Sequence, residues 1–119
     1  MKIAVTSQGK DLDSQVDPRF GRAAYILIVD MVDETVEVLD NSDNVNAFKG
    51  AGIQAAAKIG NLGVDILLTG FCGPNAFRTL EAAGVKVANN ISGTVRDVLE
   101  TFKSGKVSFA DNANVEGHW

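Results

Sequence analysis

Apolar positions fall into two rhythms along this chain, a period of two and a helical period, and they divide it into eight elements. Lys2 to Thr6 alternates, with Ile3 and Val5 on one face, and reads as the first strand. Ala23 to Val29 is an apolar strand; the chain turns over Asp30 to Asp33, and Thr35 to Leu39 alternates as its antiparallel partner. Asp65 to Thr69 holds Ile66, Leu67 and Leu68 between glycines and reads as a strand buried on both faces, at the centre of the sheet. Val85 to Ala88 is the fifth strand. The helical rhythm is carried by three segments. Gly50 to Gly60 sets Ile53, Ala56 and Ala57 on one stripe, small enough to lie close to a sheet. Pro74 to Ala83 opens on a proline, where a missing N–H costs nothing, buries Phe77 and Leu80, and stops at Gly84. Thr94 and Asp97 form a pair like a capping box ahead of Val95, Val98, Leu99 and Phe102, and Gly105 ends that helix.

This order is a three-strand meander followed by helix, strand, helix, strand, helix. Right-handed crossovers place the fourth strand beside the first and the fifth beyond it. The expected fold is a single α/β domain, a ribonuclease H-like mixed five-stranded sheet of order 3-2-1-4-5, strand 2 antiparallel, with helices on both faces. The loops after strands one, four and five then share one edge, where open α/β sheets bind ligands. That edge gathers Thr6 and Ser7, Arg19 and Arg22 from the long Ser7 to Arg22 loop, then Thr69, Gly70, Phe71, Cys72, Gly73, Pro74 and Asn75, and finally Asn89 and Asn90. A strand, a glycine-bounded loop and a helix start converge near Gly70 to Asn75, which favours an anion through bare amides and the helix dipole. A well-capped turn is the plain alternative.

Composition narrows the chemistry. The 119 residues are 45% hydrophobic and 22% charged, ordinary for a globular domain. A net charge of -4 argues against a nucleic-acid footprint, and the first strand lacks the carboxylates that two-metal phosphodiester cleavage needs. The single cysteine excludes an intramolecular disulfide and any all-cysteine metal site. No apolar stretch reaches the length of a bilayer span, and Met1 runs straight into the first strand without a leader, so reducing cytoplasm is the expected location and no membrane partner is expected. Residues 1–109 form the expected domain. Residues 110–119, ADNANVEGHW, read as a flexible tail with the lone histidine. GAGIQA matches a dinucleotide fingerprint only formally, since no strand precedes it and no acid follows at the required spacing. Six carboxylates and no basic residue lie between Asp30 and Asp43, which reads as a solvated, protected edge strand more readily than a metal site. Nucleophilic catalysis has little support: a helix start near Cys72 is an influence that can lower a thiol pKa, but the lone His118 is in the tail, so a Cys72–His118 pair would need the tail to dock.

Four motifs in order resemble the dinitrogenase iron–molybdenum cofactor-binding family: Asp17-Pro18-Arg19-Phe20-Gly21-Arg22-Ala23, Gly50-Ala51-Gly52-Ile53-Gln54-Ala55-Ala56, Gly70-Phe71-Cys72-Gly73-Pro74-Asn75-Ala76 and Gly93-Thr94-Val95. The resemblance runs from Met1 to about Val107 and implies a ribonuclease H-like fold and a non-enzymatic carrier, store or sensor of a molybdenum-containing metal–sulfur cluster. The stand-alone length and the GFCGPNAF variant resemble the orange-protein branch, whose members hold a molybdenum–copper sulfide cluster non-covalently; a related iron–molybdenum-type cluster is the other cofactor implied. Such a cluster is a bulky, soft anion. Arg19 and Arg22 would supply charge, Phe20 and Phe71 apolar walls, the Gly73 to Ala76 amides the helix-end contact, and Cys72 a soft ligand to copper, with His118 a second metal ligand if the tail folds back. Beside these stand plainer roles: Arg22 paired with Asp17, Phe20 in the core, Cys72 a small buried hydrophobe. The partners implied are the cluster and a cytoplasmic ATPase or cluster-receiving protein, with the chain a monomer. A second reading is a protein-interaction module working with nucleotide-hydrolysing partners through the Asp30 to Asp43 hairpin.

Overall fold

Five strands and three helices form in a computed structural model that describes residues 1–41 and 51–110. The strands are β1 (Lys2–Ser7), β2 (Tyr25–Asp30), β3 (Thr35–Asp40), β4 (Ile66–Leu68) and β5 (Lys86–Ala88); the helices are α1 (Ala51–Asn61), α2 (Pro74–Ala82) and α3 (Val95–Lys103). The sheet order is β3-β2-β1-β4-β5, with β2 antiparallel to both neighbours and β4 and β5 parallel to β1. The expected order is the observed one. Each strand ends within two residues of its expected limits.

Alternation in β1 sorts the core into two layers. Ala4, with Ile26, Ile28, Leu67 and Val87, faces Ala55, Ala56 and Ile59 of α1 and Ala76, Phe77 and Leu80 of α2. Ile3 and Val5 look the other way, with Leu27, Val29, Ile66, Leu68 and Ala88, onto Val95, Val98 and Leu99 of α3. Each layer excludes water from a continuous apolar surface, the main term favouring the fold.

The stripe of α1 differs from expectation. Ala51, Gly52, Ala55, Ala56 and Ile59 are buried, whereas Ile53 and Ala57 are exposed; of the three expected residues only Ala56 faces inward. The cause lies at the start of the helix. Gly21, at φ +92°, approaches so closely that a Cβ on it would meet Gly52 Cα at 2.7 Å, so the smallest residues must point inward there. Helix α3 follows its cap: Thr94 Oγ1 accepts from the Asp97 amide at 3.1 Å.

Candidate functional site

Because β2 reverses twice between β1 and β3, the strands β1, β3, β4 and β5 all run one way, and their carboxyl ends meet at one edge. The three helices follow β3, β4 and β5 and all start there. Their dipoles therefore add positive potential along that edge.

The loop between β1 and β2 folds across this edge and is stitched to it. The Asp17 amide donates to Thr6 O (2.9 Å), the Val16 amide to Gly93 O (2.8 Å), the Phe71 amide to Pro18 O (2.7 Å) and the Phe20 amide to Phe71 O (3.0 Å). Gly70 lies under Pro18, where a Cβ would come within 2.6 Å of the Pro18 carbonyl oxygen, so no larger residue fits without moving the loop. The expected gathering of loops is present. The buried Asp17 carboxylate organises the loop from within: it accepts from the amides of Arg19 (3.1 Å) and Ala24 (3.3 Å) and faces the Arg19 guanidinium at 3.8 Å. Asn41 does the same from the other side, its Nδ2 donating to Gly21 O (3.0 Å) and Ala23 O (2.8 Å). Asn41 reads in sequence as part of a polar connector, and no periodicity signals its burial.

The expected site residues divide into an inner and an outer set. Thr6 and Thr69 are buried and share a hydrogen bond at 2.9 Å, with Thr6 Oγ1 also donating to Asp17 O at 2.6 Å. Ser7 Oγ donates to Gly9 O and accepts from its amide, closing the first turn of the loop. Gly70 and Gly73 are buried, and Phe20, expected as an apolar wall, is 1% exposed and belongs to the core beneath α1 and α2. These residues hold the edge in shape. On its outside lie Phe71 (37% exposed), the Arg19 side chain (46% exposed), half-buried Arg22, Pro74 and Asn89, and exposed Asn75 and Asn90. Asn75 accepts from the Arg78 guanidinium. His118 lies outside the described residues, as does Asp43 of the acidic run.

Cys72 lies where the plainer of its two expected roles, a small buried hydrophobe, puts it. It is fully buried in the core layer beside Ala76 and Phe77, its Sγ 3.7 Å from Gly73 O. Burial pushes the thiol up to about 12, opposite to the lowering that a helix start can give, because desolvation in the apolar core disfavours the thiolate. Among the described residues no group of three or more His, Cys, Asp or Glu side chains is placed to hold a metal ion. The Asp30 carboxylate is engaged in its own turn, accepting from the amides of Val32 (2.9 Å) and Asp33 (3.2 Å), which hold it below its ordinary pKa.

The helix starts are not equivalent. At α3 the Val95 and Arg96 amides donate to Ser14 O and Leu12 O, and the Asp97 amide to Thr94. At α2 the cap is Gly73, which has no side chain to offer, and Pro74 follows at the first helical position. The next amides, of Asn75 and Ala76, are those a helix cannot satisfy by itself. A helix start without a side-chain cap, following the exposed Phe71 that bridges to Arg19, is a surface suited to a bulky anion that carries its own inner ligands.

Residues 1–105 match the family model described as dinitrogenase iron-molybdenum cofactor. The fold superposes with a TM-score of 0.92 on the apo form of the orange protein from Desulfovibrio gigas, at 44% identity over 96% of each chain. A NifB-like protein from Thermotoga, of the DUF35 family, gives a TM-score of 0.84 at 38% identity over 98% of each chain. An uncharacterized protein of Methanocaldococcus jannaschii is 26% identical over 110 residues, covering 90% of this chain and 89% of that one.

Proposed function

This chain belongs to the dinitrogenase iron-molybdenum cofactor family, and from that premise we propose that it binds an anionic molybdenum-containing metal–sulfur cluster non-covalently, as a carrier or store and not as an enzyme. A mixed molybdenum–copper sulfide is the cargo we favour, from the likeness to the orange protein, with an iron–molybdenum-type cluster as the related alternative. The observation that carries the reading is the start of α2, capped by Gly73 with no side chain, following the exposed Phe71 that bridges to Arg19.

The roles follow from the chemistry. A thiometallate anion is multiply charged at its sulfides and soft at its faces. Arg19, steadied by the Asp17 carboxylate, and Arg22 neutralise charge; the Asn75 and Ala76 amides donate at the helix end; Phe71 covers an apolar face; Asn89 lines the far side. Cys72 supports the loop from behind rather than ligating copper, because a thiol held protonated in the core would have to be exposed and ionised first. A carrier of this kind acts in the cytoplasm as a monomer and hands its cargo to a cluster-receiving protein or an ATPase acting with one.

The test is reconstitution with tetrathiomolybdate and copper(I), followed by gel filtration, visible absorption and metal analysis. Charge-transfer bands should elute with the protein at a reproducible molybdenum stoichiometry. In Arg19→Ala/Arg22→Ala retention should fall about tenfold or more, each charge-assisted contact being worth roughly 1.5–3 kcal/mol. Undiminished retention by the double variant removes both arginines from the site.

A further inference from the structure

We propose that the outer edge of β3 is a docking strand for an extended, basic segment of another protein, which adds to the sheet as a sixth strand. This surface is separate from the cluster site, and the proposal stands whether or not the chain carries a cluster.

The ladder fixes which backbone groups point outward. The Asn41 amide donates to Ala24 O and the Met31 amide to Met1 O, one step beyond the β2–β3 and β1–β2 registers respectively. In an antiparallel pair bonded and non-bonded positions alternate, so Thr35, Glu37 and Leu39 bond to β2. Val36 and Val38 turn their N–H and C=O groups to the outer edge, which no other described strand pairs with. Their side chains lie opposite Val29 and Leu27 and flank the core layer that α3 covers, yet remain 40% and 42% exposed, and Val32 in the adjoining turn is 78% exposed. The edge thus offers both main-chain hydrogen bonds and two apolar side chains on one face, the two elements of strand addition.

Charge selects the occupant. Asp30, Asp33, Glu34, Glu37 and Asp40 crowd this hairpin without a basic residue. Pairing of two copies through β3 would bring these carboxylates together at a cost, so the edge rejects a second copy of itself. A strand alternating valine-like residues with lysine or arginine meets the opposite condition: its apolar side packs on Val36 and Val38 while its cations face Asp33 and Glu37.

The experiment titrates the whole chain, isotopically labelled, with a short acetylated and amidated peptide alternating valine with lysine, followed by amide NMR and fluorescence anisotropy. Binding should shift the Val36 and Val38 amides. A peptide with glutamate for lysine should bind at least about tenfold more weakly, as should the lysine peptide against Asp33→Lys/Glu37→Lys, both exposed positions. N-methylation of the peptide along one edge should abolish binding, and Val38→Pro, which deletes an outward N–H and no bond to β2, should do the same. Equal binding of the two peptides, tolerance of N-methylation, amide shifts confined to the other edge of the sheet, or a dimer of the chain that Val38→Pro dissolves would each overturn the proposal.

Discussion

The buried thiol of Cys72 gives a sharp quantitative expectation. At pH 8 a thiol at its ordinary value of 9.0 is ionised to about one part in eleven, whereas one pushed up to about 12 is ionised to about one in ten thousand. Thiolate is the reactive species, so alkylation by iodoacetamide should run roughly 900-fold slower in the folded chain than in the same chain in denaturant. The full burial of the residue lowers the rate further. The linked stability has a definite sign. A group whose pKa is higher folded than unfolded contributes fully below the unfolded value, and that contribution is lost as pH rises through the folded one. Unfolding free energy should therefore fall between pH 9 and 12, at a limiting slope of about 1.4 kcal/mol per pH unit from this one residue. Cys72→Ala should lack that component of the pH dependence and retain the cluster. The measurements are mass-spectrometric alkylation kinetics and urea titrations across pH. Alkylation at pH 8 within tenfold of the denatured rate would refute the burial argument, and loss of the cluster in Cys72→Ala would restore the sulfur as a ligand.

Three further outcomes follow from the geometry. Gly70→Ala places a methyl 2.6 Å from Pro18 O, so urea unfolding should register a loss of about 1–3 kcal/mol, and cluster retention should fall as the loop lifts. Asn41→Leu removes two buried hydrogen bonds to the carbonyls of Gly21 and Ala23; a cost of about 2 kcal/mol or more is expected in the same assay, and a neutral result would show that these carbonyls find water. Thr94→Ala deletes the side-chain acceptor for the Asp97 amide and should cost about 1 kcal/mol, with cluster binding unchanged because α3 lends none of its first amides to the site.

Strand order, strand polarity and the gathering of loops at one edge were legible because apolar runs such as Ile66–Leu68 have no other home than a covered sheet, and crossover handedness leaves few topologies. The start of α2 was legible for a similar reason, since Gly73-Pro74 permits little else. The phase of α1 was not. Its stripe is alanine and glycine, for which burial by size gives almost no periodic signal, and the deciding contact, Gly21 against Gly52, joins segments far apart in sequence. Phe20 and Cys72 illustrate the same limit within the site: both sit in motifs that face the edge, yet their side chains point back into the core. Asp17 and Asn41 are polar residues whose partners are backbone groups of the loop, and sequence does not disclose which polar residue will be enclosed.

The stitching of the first loop also bears on the order of folding. Its bonds to Phe71, Gly93 and the first amides of α3 join residues more than fifty positions apart, and such closures form late because the intervening chain must be ordered first. During synthesis from the ribosome, the loop that bears Arg19 and Arg22 emerges early but has nothing to fasten to until β4, β5 and α3 have followed. Competence to take up cargo should therefore arise in a single late step once α3 has emerged, so that chains stalled before it carry the arginine motif without acquiring affinity.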